Sequence, residues 1–281
     1  MSQPNWSTVI TSKKKNFSFN FKEIWDYRDL IFIFAQRDII SIYKQTILGP
    51  VWFLLGPLFT VFSYTFIFSE IAHLSTDGVP GPLFYLGGTT LWNYFQSCFN
   101  GASSTFSANA GIFGKVYFPR LVTPISLVVS NFLKLTLQFV VFICFFLYYY
   151  LTNSNIVPNY TLLLVPFEVI LMAIIAIGSG IIISSLTTKY RDLNMLVSVG
   201  IMVLMYATPI MYPLSAIPDL YKPFLAWNPI SPLIEAFRYA FTSKGEFSIF
   251  SLTYSLIFGV VILFLGIIVF NRTEKTFMDT V

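Results

Sequence analysis

The sequence predicts an all-α integral membrane protein with six transmembrane helices, an N-terminal interface helix and two short re-entrant outer helices. Three observations carry that prediction. Hydrophobic residues make up 56% of the 281-residue chain and charged residues only 11%, against roughly a quarter charged in soluble domains. Mean hydropathy is +0.71. Six stretches are mostly apolar for about 20 residues each, the length at which a helix crosses a bilayer core. A soluble fold of this length cannot hide so much apolar surface, whereas a bilayer can.

In order, the expected spans are Leu48–Ser69, Leu83–Ser104, Leu121–Leu151, Tyr160–Leu186, Leu193–Tyr212 and Phe250–Phe270. The third is long enough to tilt or protrude. Before the first span, Phe21–Gln45 contains neither Pro nor Gly, has an apolar centre at Leu30–Ala35 and carries charges at its ends. It suits a helix lying in the cytoplasmic interface, or packed on a partner; the two readings are compatible. Between the last two spans, Pro213, Pro218, Pro223, Pro229 and Pro232 rule out a long helix. Yet Phe224–Trp227 and Leu233–Phe241 are strongly apolar. Two half-helices dipping in from the outer face fit this pattern, because irregular backbone at membrane depth needs protein or a cavity to shield it. Amphipathic turns on the outer surface are the alternative. The chain reads as one domain, 1–281, with the interface helix at about 21–45, the membrane domain at about 48–270 and the outer segment at about 213–247. No cleavable signal is evident, since polar residues follow Lys13, Lys14 and Lys15 for a long stretch.

Orientation follows from the basic residues. With the N-terminus inside, the inner segments hold thirteen of the seventeen: Lys13, Lys14, Lys15, Lys22, Arg28, Arg37, Lys44, Lys115, Arg120, Lys189, Arg191, Arg272 and Lys275. The outer loops hold Lys222, Arg238 and Lys244, and Lys134 falls within a span. Both termini are expected to be cytoplasmic. The net charge of +4 is thus a matter of topology and not of nucleic-acid binding.

Several chemistries are excluded. A phosphate-binding loop needs G-x-x-x-x-G-K-[ST]; here Asn109 stands at the first Gly position and Val116 follows Gly114-Lys115. There is one histidine, His73, and two cysteines, Cys98 and Cys144, both in apolar stretches, so no His/Cys metal cluster can be built. No hydrolase or metalloprotease motif appears. Catalysis within this chain is not expected.

The remaining candidates are polar groups at membrane depth and aromatic rings. Lys134 and Glu168 both come to roughly 16–18 Å from the inner face at 1.5 Å per residue, and their helices are joined by a short loop. They are expected to pair as a helix-to-helix clasp, with a substrate contact or proton path as the alternative. Glu235 and Arg238 share a helix face at i,i+3, facing a translocation path or forming a local salt bridge. Aromatics reach 19%. Sugar rings stack their C–H faces on aromatic rings, and Tyr64, Tyr85, Trp92, Tyr94 and Trp227 are candidates for this, although Trp and Tyr also suit the membrane interfaces. Gly178, Gly180 and Ser184 give the small-residue spacing of close helix packing.

Four strings combine: Arg37-Asp38-Ile39-Ile40-Ser41-Ile42-Tyr43-Lys44-Gln45-Thr46-Ile47-Leu48-Gly49-Pro50-Val51-Trp52; Gly114-Lys115-Val116-Tyr117-Phe118-Pro119-Arg120; Lys189-Tyr190-Arg191-Asp192-Leu193; and Asn228-Pro229-Ile230-Ser231-Pro232-Leu233-Ile234-Glu235-Ala236-Phe237-Arg238. Together, from about residue 22 to the C-terminus, they resemble the permease subunit of polysaccharide-export ABC transporters of the O-antigen, capsule or teichoic acid type. The resemblance implies a homodimer in the cell inner membrane, each copy docked on a separate ABC ATPase subunit (two copies in all), with the pore between the permeases. The cargo would be lipid-linked polysaccharide, O-antigen-like, surrounded by membrane lipids. This chain would hold no cofactor, ATP and Mg being bound by the partner. The resemblance makes Arg37, Asp38, Tyr43, Lys44, Gln45, Gly114, Lys115, Tyr117, Pro119, Arg120, Lys189, Arg191 and Asp192 the ATPase-coupling residues, and the fourth string an outer gate. Rival readings are a drug or lipid exporter of the same branch, a membrane glycosyl- or acyltransferase, which would need an acidic or His cluster, and a passive channel, which would need no ATPase.

Overall fold

A computed structural model describes residues 21–44, 49–152, 155–190 and 192–280. Among them, all regular structure is helical. The expected interface helix is two helices, α1 (Phe21–Asp26) and α2 (Arg28–Tyr43), broken at Tyr27, whose φ of −97° and ψ of 19° leave the helical region. Ile24, Ile31 and Ala35 are buried, while Phe32, Ile33 and Ile40 stay exposed. α2 therefore has one face on the bundle and one that suits lipid.

α3 (Trp52–Tyr64) contains Pro57 and passes into a π-helical stretch, Thr65–Ile71. Proline removes one backbone donor from the ladder. Hydroxyls of Thr60 and Ser63 bond back to the carbonyls of Gly56 and Phe59 at 3.1 and 2.8 Å. α4 (Gly81–Ser103) is the central element, packed against α3, α6, α7 and α10. It leads into α5 (Thr105–Phe113). α6 (Val122–Leu151) has 30 residues, or about 45 Å at 1.5 Å per residue. A short 3₁₀ turn, Tyr160–Leu164, opens α7 (Val165–Lys189). α8 (Leu193–Tyr206) has only 14 residues. The Pro-rich segment holds α9 (Lys222–Ala226) and α10 (Ser231–Thr242), and α11 (Ile249–Thr280) closes the chain.

Among the described residues, four helices are long and apolar enough to cross a membrane: Trp52–Ile71, Val122–Leu151, Tyr160–Lys189 and Ile249–Glu274. The other two expected spans fall on α4, whose 23 residues are diluted by Asn93, Gln96, Ser97 and Asn100, and on the short α8. α8 ends six residues before the expected Tyr212, because Pro209 disfavours helix at Thr208.

Small residues set the tightest packing. A Cβ added at Gly178 would lie 2.7 Å from the Leu263 backbone nitrogen of α11, and one at Gly266 would lie 2.6 Å from the Gly178 carbonyl. One at Gly180 would meet Ala102 at 2.5 Å. The expected close packing along α7 is thus present on two faces, Gly178 against α11 and Gly180 against α4. Ser184 continues the second face and accepts the Phe106 amide at 3.2 Å. Without a hydrophobic drive between helices in lipid, such backbone approach supplies much of their association.

Candidate functional site

The Pro-rich segment 213–247, expected on the outer side, is held by side chains that satisfy stray backbone groups. Asn228 donates to the Ala207 carbonyl and the Thr208 hydroxyl at 3.1 and 2.8 Å, and its own oxygen accepts the Ile230 amide at 3.0 Å. Ser255 and Tyr254 of α11 donate to the carbonyls of Pro229 and Trp227. At the far end of α10, Asn159 donates to the Tyr239 carbonyl at 3.0 Å, and Ser243, in the left-handed region at φ 51°, donates to Val157. Proline-broken chain leaves orphan donors and acceptors, and these contacts answer them.

Within that frame, the Arg238 guanidinium reaches back to the end of α8. It donates to the carbonyls of Pro209 and Ile210 at 2.5 and 2.6 Å, pairs with Glu235 at 3.3 Å and lies over the Phe84 ring at 3.7 Å. Both charged residues are 4% exposed. Gly88 makes room for it, since a Cβ there would stand 2.6 Å from the guanidinium. Of the two readings of this pair, the geometry is that of an internal pin for the outer segment. Further out, Lys222 pairs with Asp219 at 2.8 Å. The hydrogen bond from Lys222 and then its charge hold the Asp219 carboxyl below its usual value, and the reverse effect raises Lys222.

The aromatic candidates separate by position. Tyr85 and Trp92 are 0% and 1% exposed. Tyr85 packs among Tyr64, Phe68 and Phe84 and lies 3.3 Å from the Ser69 hydroxyl. Their assignment to a sugar-stacking path is corrected here: both point from α4 into the core, where neighbouring rings already cover them. Tyr64 is half-buried, Tyr94 lines a polar cavity, and Trp227 is 80% exposed on the outer segment.

The expected Lys134–Glu168 pair does not form. The Lys134 ammonium donates to Asn131 at 2.8 Å and faces the Phe53 ring at 5.7 Å. Glu168 is wholly buried, and neither of its carboxylate oxygens has a hydrogen-bond partner among the described residues. The physical reason is that α6 and α7 each pack far more on α4 than on one another. Residues expected at one depth pair only where their helix faces meet. Lys134 instead lines a cavity of about 470 Å³ between α3, α4 and α6, with Asn93, Gln96, Ser97, Asn100, Asn131 and Gln138. Sequence reasoning passed over these uncharged residues, although their helical spacing was there to be read.

At the other end of the bundle, the loop between α5 and α6 is anchored at its base and exposed at its tip. Phe118 and Pro119 are buried, with Phe118 edge-on to Phe34 of α2 at 5.6 Å and tilted against Phe113. Arg120 donates to the Glu274 carbonyl of α11 at 2.7 Å and lies over Phe113 at 5.4 Å. Gly114, Lys115, Val116 and Tyr117 are exposed, Val116 by 58% and Tyr117 by 54%. Nearby, Arg37 bonds Asp38 at 2.7 Å, and exposed Lys189 faces the Tyr190 ring at 5.2 Å. Asp192 and Lys44 are also exposed, and Tyr43 ends α2. Gln45 and Arg191 lie outside the described residues. One loop tip, with the interface helix braced directly behind it, can receive a push and pass it into α2, α6 and α11.

The chain is also similar to known proteins. The family model of the ABC-2 type transporter matches residues 29–242. The O-antigen export system permease protein RfbA of Klebsiella pneumoniae is 29% identical over 252 residues, 89% of this chain and 94% of the relative. RfbA of Myxococcus xanthus is 27% identical over 223 residues, covering 78% and 83%. The polysialic acid transport protein KpsM of Escherichia coli is 27% identical over 250 residues, covering 87% and 93%. With a family match over most of its length and an apolar helical bundle to go with it, the chain belongs to the ABC-2 type transporter family of membrane proteins.

Proposed function

We propose that this chain is the membrane-spanning subunit of an ATP-driven exporter that moves lipid-linked polysaccharide out of the cytoplasm across the inner membrane. The observation that carries the proposal is the near full-length likeness to permeases named for O-antigen export and polysialic acid transport. The chain contains no phosphate-binding loop, so its driving force comes from a separate ATPase subunit. The exposed Gly114–Tyr117 tip and the α2 face behind it are the surfaces on which that subunit docks. Motion of the docked subunit reaches the bundle as a rigid-body shift.

In the finer reading, α4 and α8 complete a set of six spans and α9 and α10 are re-entrant on the outer side. Both termini are cytoplasmic. Two copies form the pore, and the exposed rings of α3 and its π-helical continuation, among them Phe59, Phe62 and Phe66, are free to meet lipid or the second copy. Two measurements test the whole. Deleting the gene abolishes surface glycan and leaves lipid-linked glycan inside the cell, and the tagged chain co-purifies with an ATPase. Surface glycan persisting in the deletion strain overturns the proposal.

A further inference from the structure

α4 and α6 turn two polar ladders towards each other. On α4, Asn93, Gln96, Ser97 and Asn100 recur at i, i+3, i+4 and i+7, and on α6 Asn131, Lys134 and Gln138 recur at i, i+3 and i+7. Each spacing places its residues on one helix face. The faces meet across the cavity of about 470 Å³, and Trp52 and Phe53 of α3 form its third wall. The volume falls in the roughly 300–1,000 Å³ range of ligand sites.

Five amides, three hydroxyls and an ammonium are an expensive lining for a membrane domain unless they face a polar path. Among the described residues, Lys134 is the only charged group that lines the cavity. It donates one hydrogen bond to Asn131, at 2.8 Å, and an ammonium has three donors. The α2 carboxylate close enough to act on it, Asp38, is itself held by Arg37 at 2.7 Å. The cavity therefore offers a cation with donors to spare, amides that both donate and accept, and flat aromatic walls.

That set complements one kind of ligand. Hydroxyls suit the amides, the C–H face of a pyranose suits Trp52 and Phe53, and a carboxylate or phosphate suits Lys134. A metal cation is repelled, and a lipid tail gains nothing from the amides. We propose that this cavity is a binding subsite for an acidic sugar unit, one that bears a carboxylate or a phosphate, with Lys134 as its anion partner. The proposal rests on the polysaccharide-export reading and narrows its cargo to glycans that carry negative charge.

The test uses the full chain with its ATPase subunit in nanodiscs. Glucuronic acid, glucose 1-phosphate, glucose and inorganic phosphate are titrated, with binding followed by ligand-observed NMR. One or both acidic sugars bind about tenfold more tightly than glucose, as one charge-assisted contact allows, and inorganic phosphate displaces them only weakly. Lys134→Met brings the acidic sugars down to the level of glucose, while Lys134→Arg keeps the preference. A cysteine placed by Ser97→Cys is alkylated more slowly by a polar maleimide when the acidic sugar is present. This arm decides the matter if Lys134→Met fails to assemble. Equal binding of glucose and both acidic sugars, full displacement by phosphate alone, an undiminished preference in Lys134→Met, or no protection of Ser97→Cys each overturns the subsite. Any of these results in a strain whose deletion still abolishes surface glycan leaves the export reading standing and removes the subsite alone.

Discussion

Replacing Arg238 with Met should unfasten the outer segment from α8. The side chain closes two short hydrogen bonds to carbonyls, one ion pair and one ring contact in a place water does not reach. Methionine keeps most of the volume and none of the polarity. It leaves Glu235 buried opposite nothing, and removing one partner of a buried pair costs about 3–5 kcal/mol. Two carbonyls lose their donor as well, at about 1–3 kcal/mol each where no water replaces it. Partial relaxation brings the expected total to about 4–6 kcal/mol, a fall in apparent Tm on the order of 10 °C. Fluorescence-detected thermal unfolding of the detergent-solubilised chain measures it. Because the stranded carboxylate is a large share of the cost, Glu235→Gln added to Arg238→Met should recover a good part of the loss. Arg238→Lys, which cannot span both carbonyls from one ammonium, should fall between. An Arg238→Met protein that melts within a degree or two of the parent, or a double mutant no better than the single, refutes the account of this residue as a pin.

The charge-swapped double mutant Lys134→Glu with Glu168→Lys should be no more stable than the worse single mutant, because the two groups are not partners; recovery in a thermal melt would place them in contact. Gly178→Ala should cost about 1–3 kcal/mol as an overpacked seam, whereas Gly200→Ala, where an added Cβ meets nothing within 4 Å, should be neutral or slightly stabilising; side-by-side melts compare them. Phe118→Ala should cost about 3–5 kcal/mol, while Lys115→Ala with Tyr117→Ala should leave the melt unchanged yet weaken co-purification with the ATPase and its stimulation by the permease.

Much of this architecture could be read in advance because it depends on local pattern. Apolar runs of span length, the unbroken helix pattern before them and the clustering of basic residues in two short loops are properties of neighbouring positions. The Tyr27 break within the interface helix was not readable, since neither Pro nor Gly marks it. Counting residues from the span ends gives Lys134 and Glu168 one expected level. Which way a residue faces at that level is set by whichever helix packs beside it, and here α6 and α7 each turn more of themselves to α4 than to one another. Tyr85 and Trp92 failed for the same reason: a ring on a central helix is enclosed by elements remote in the chain. Spacing put Arg238 on one helix face with Glu235, but not in the interior. Its main partners, however, are carbonyls at Pro209 and Ile210, which no side-chain pattern announces. The amides of α4 and α6 were legible by spacing, but attention to charges alone passed them over.

The bundle contains rods of very unequal length. α6 extends about 45 Å and α8 about 21 Å at 1.5 Å per residue, and a hydrocarbon layer of about 30 Å can match neither. Acyl chains beside α6 must stretch or let the rod lean, whereas α8 by itself reaches across only part of the layer. Longer-tailed bilayers come nearer to the length of α6, so they should relieve that strain and raise the melting temperature of the bundle even though no side chain has changed.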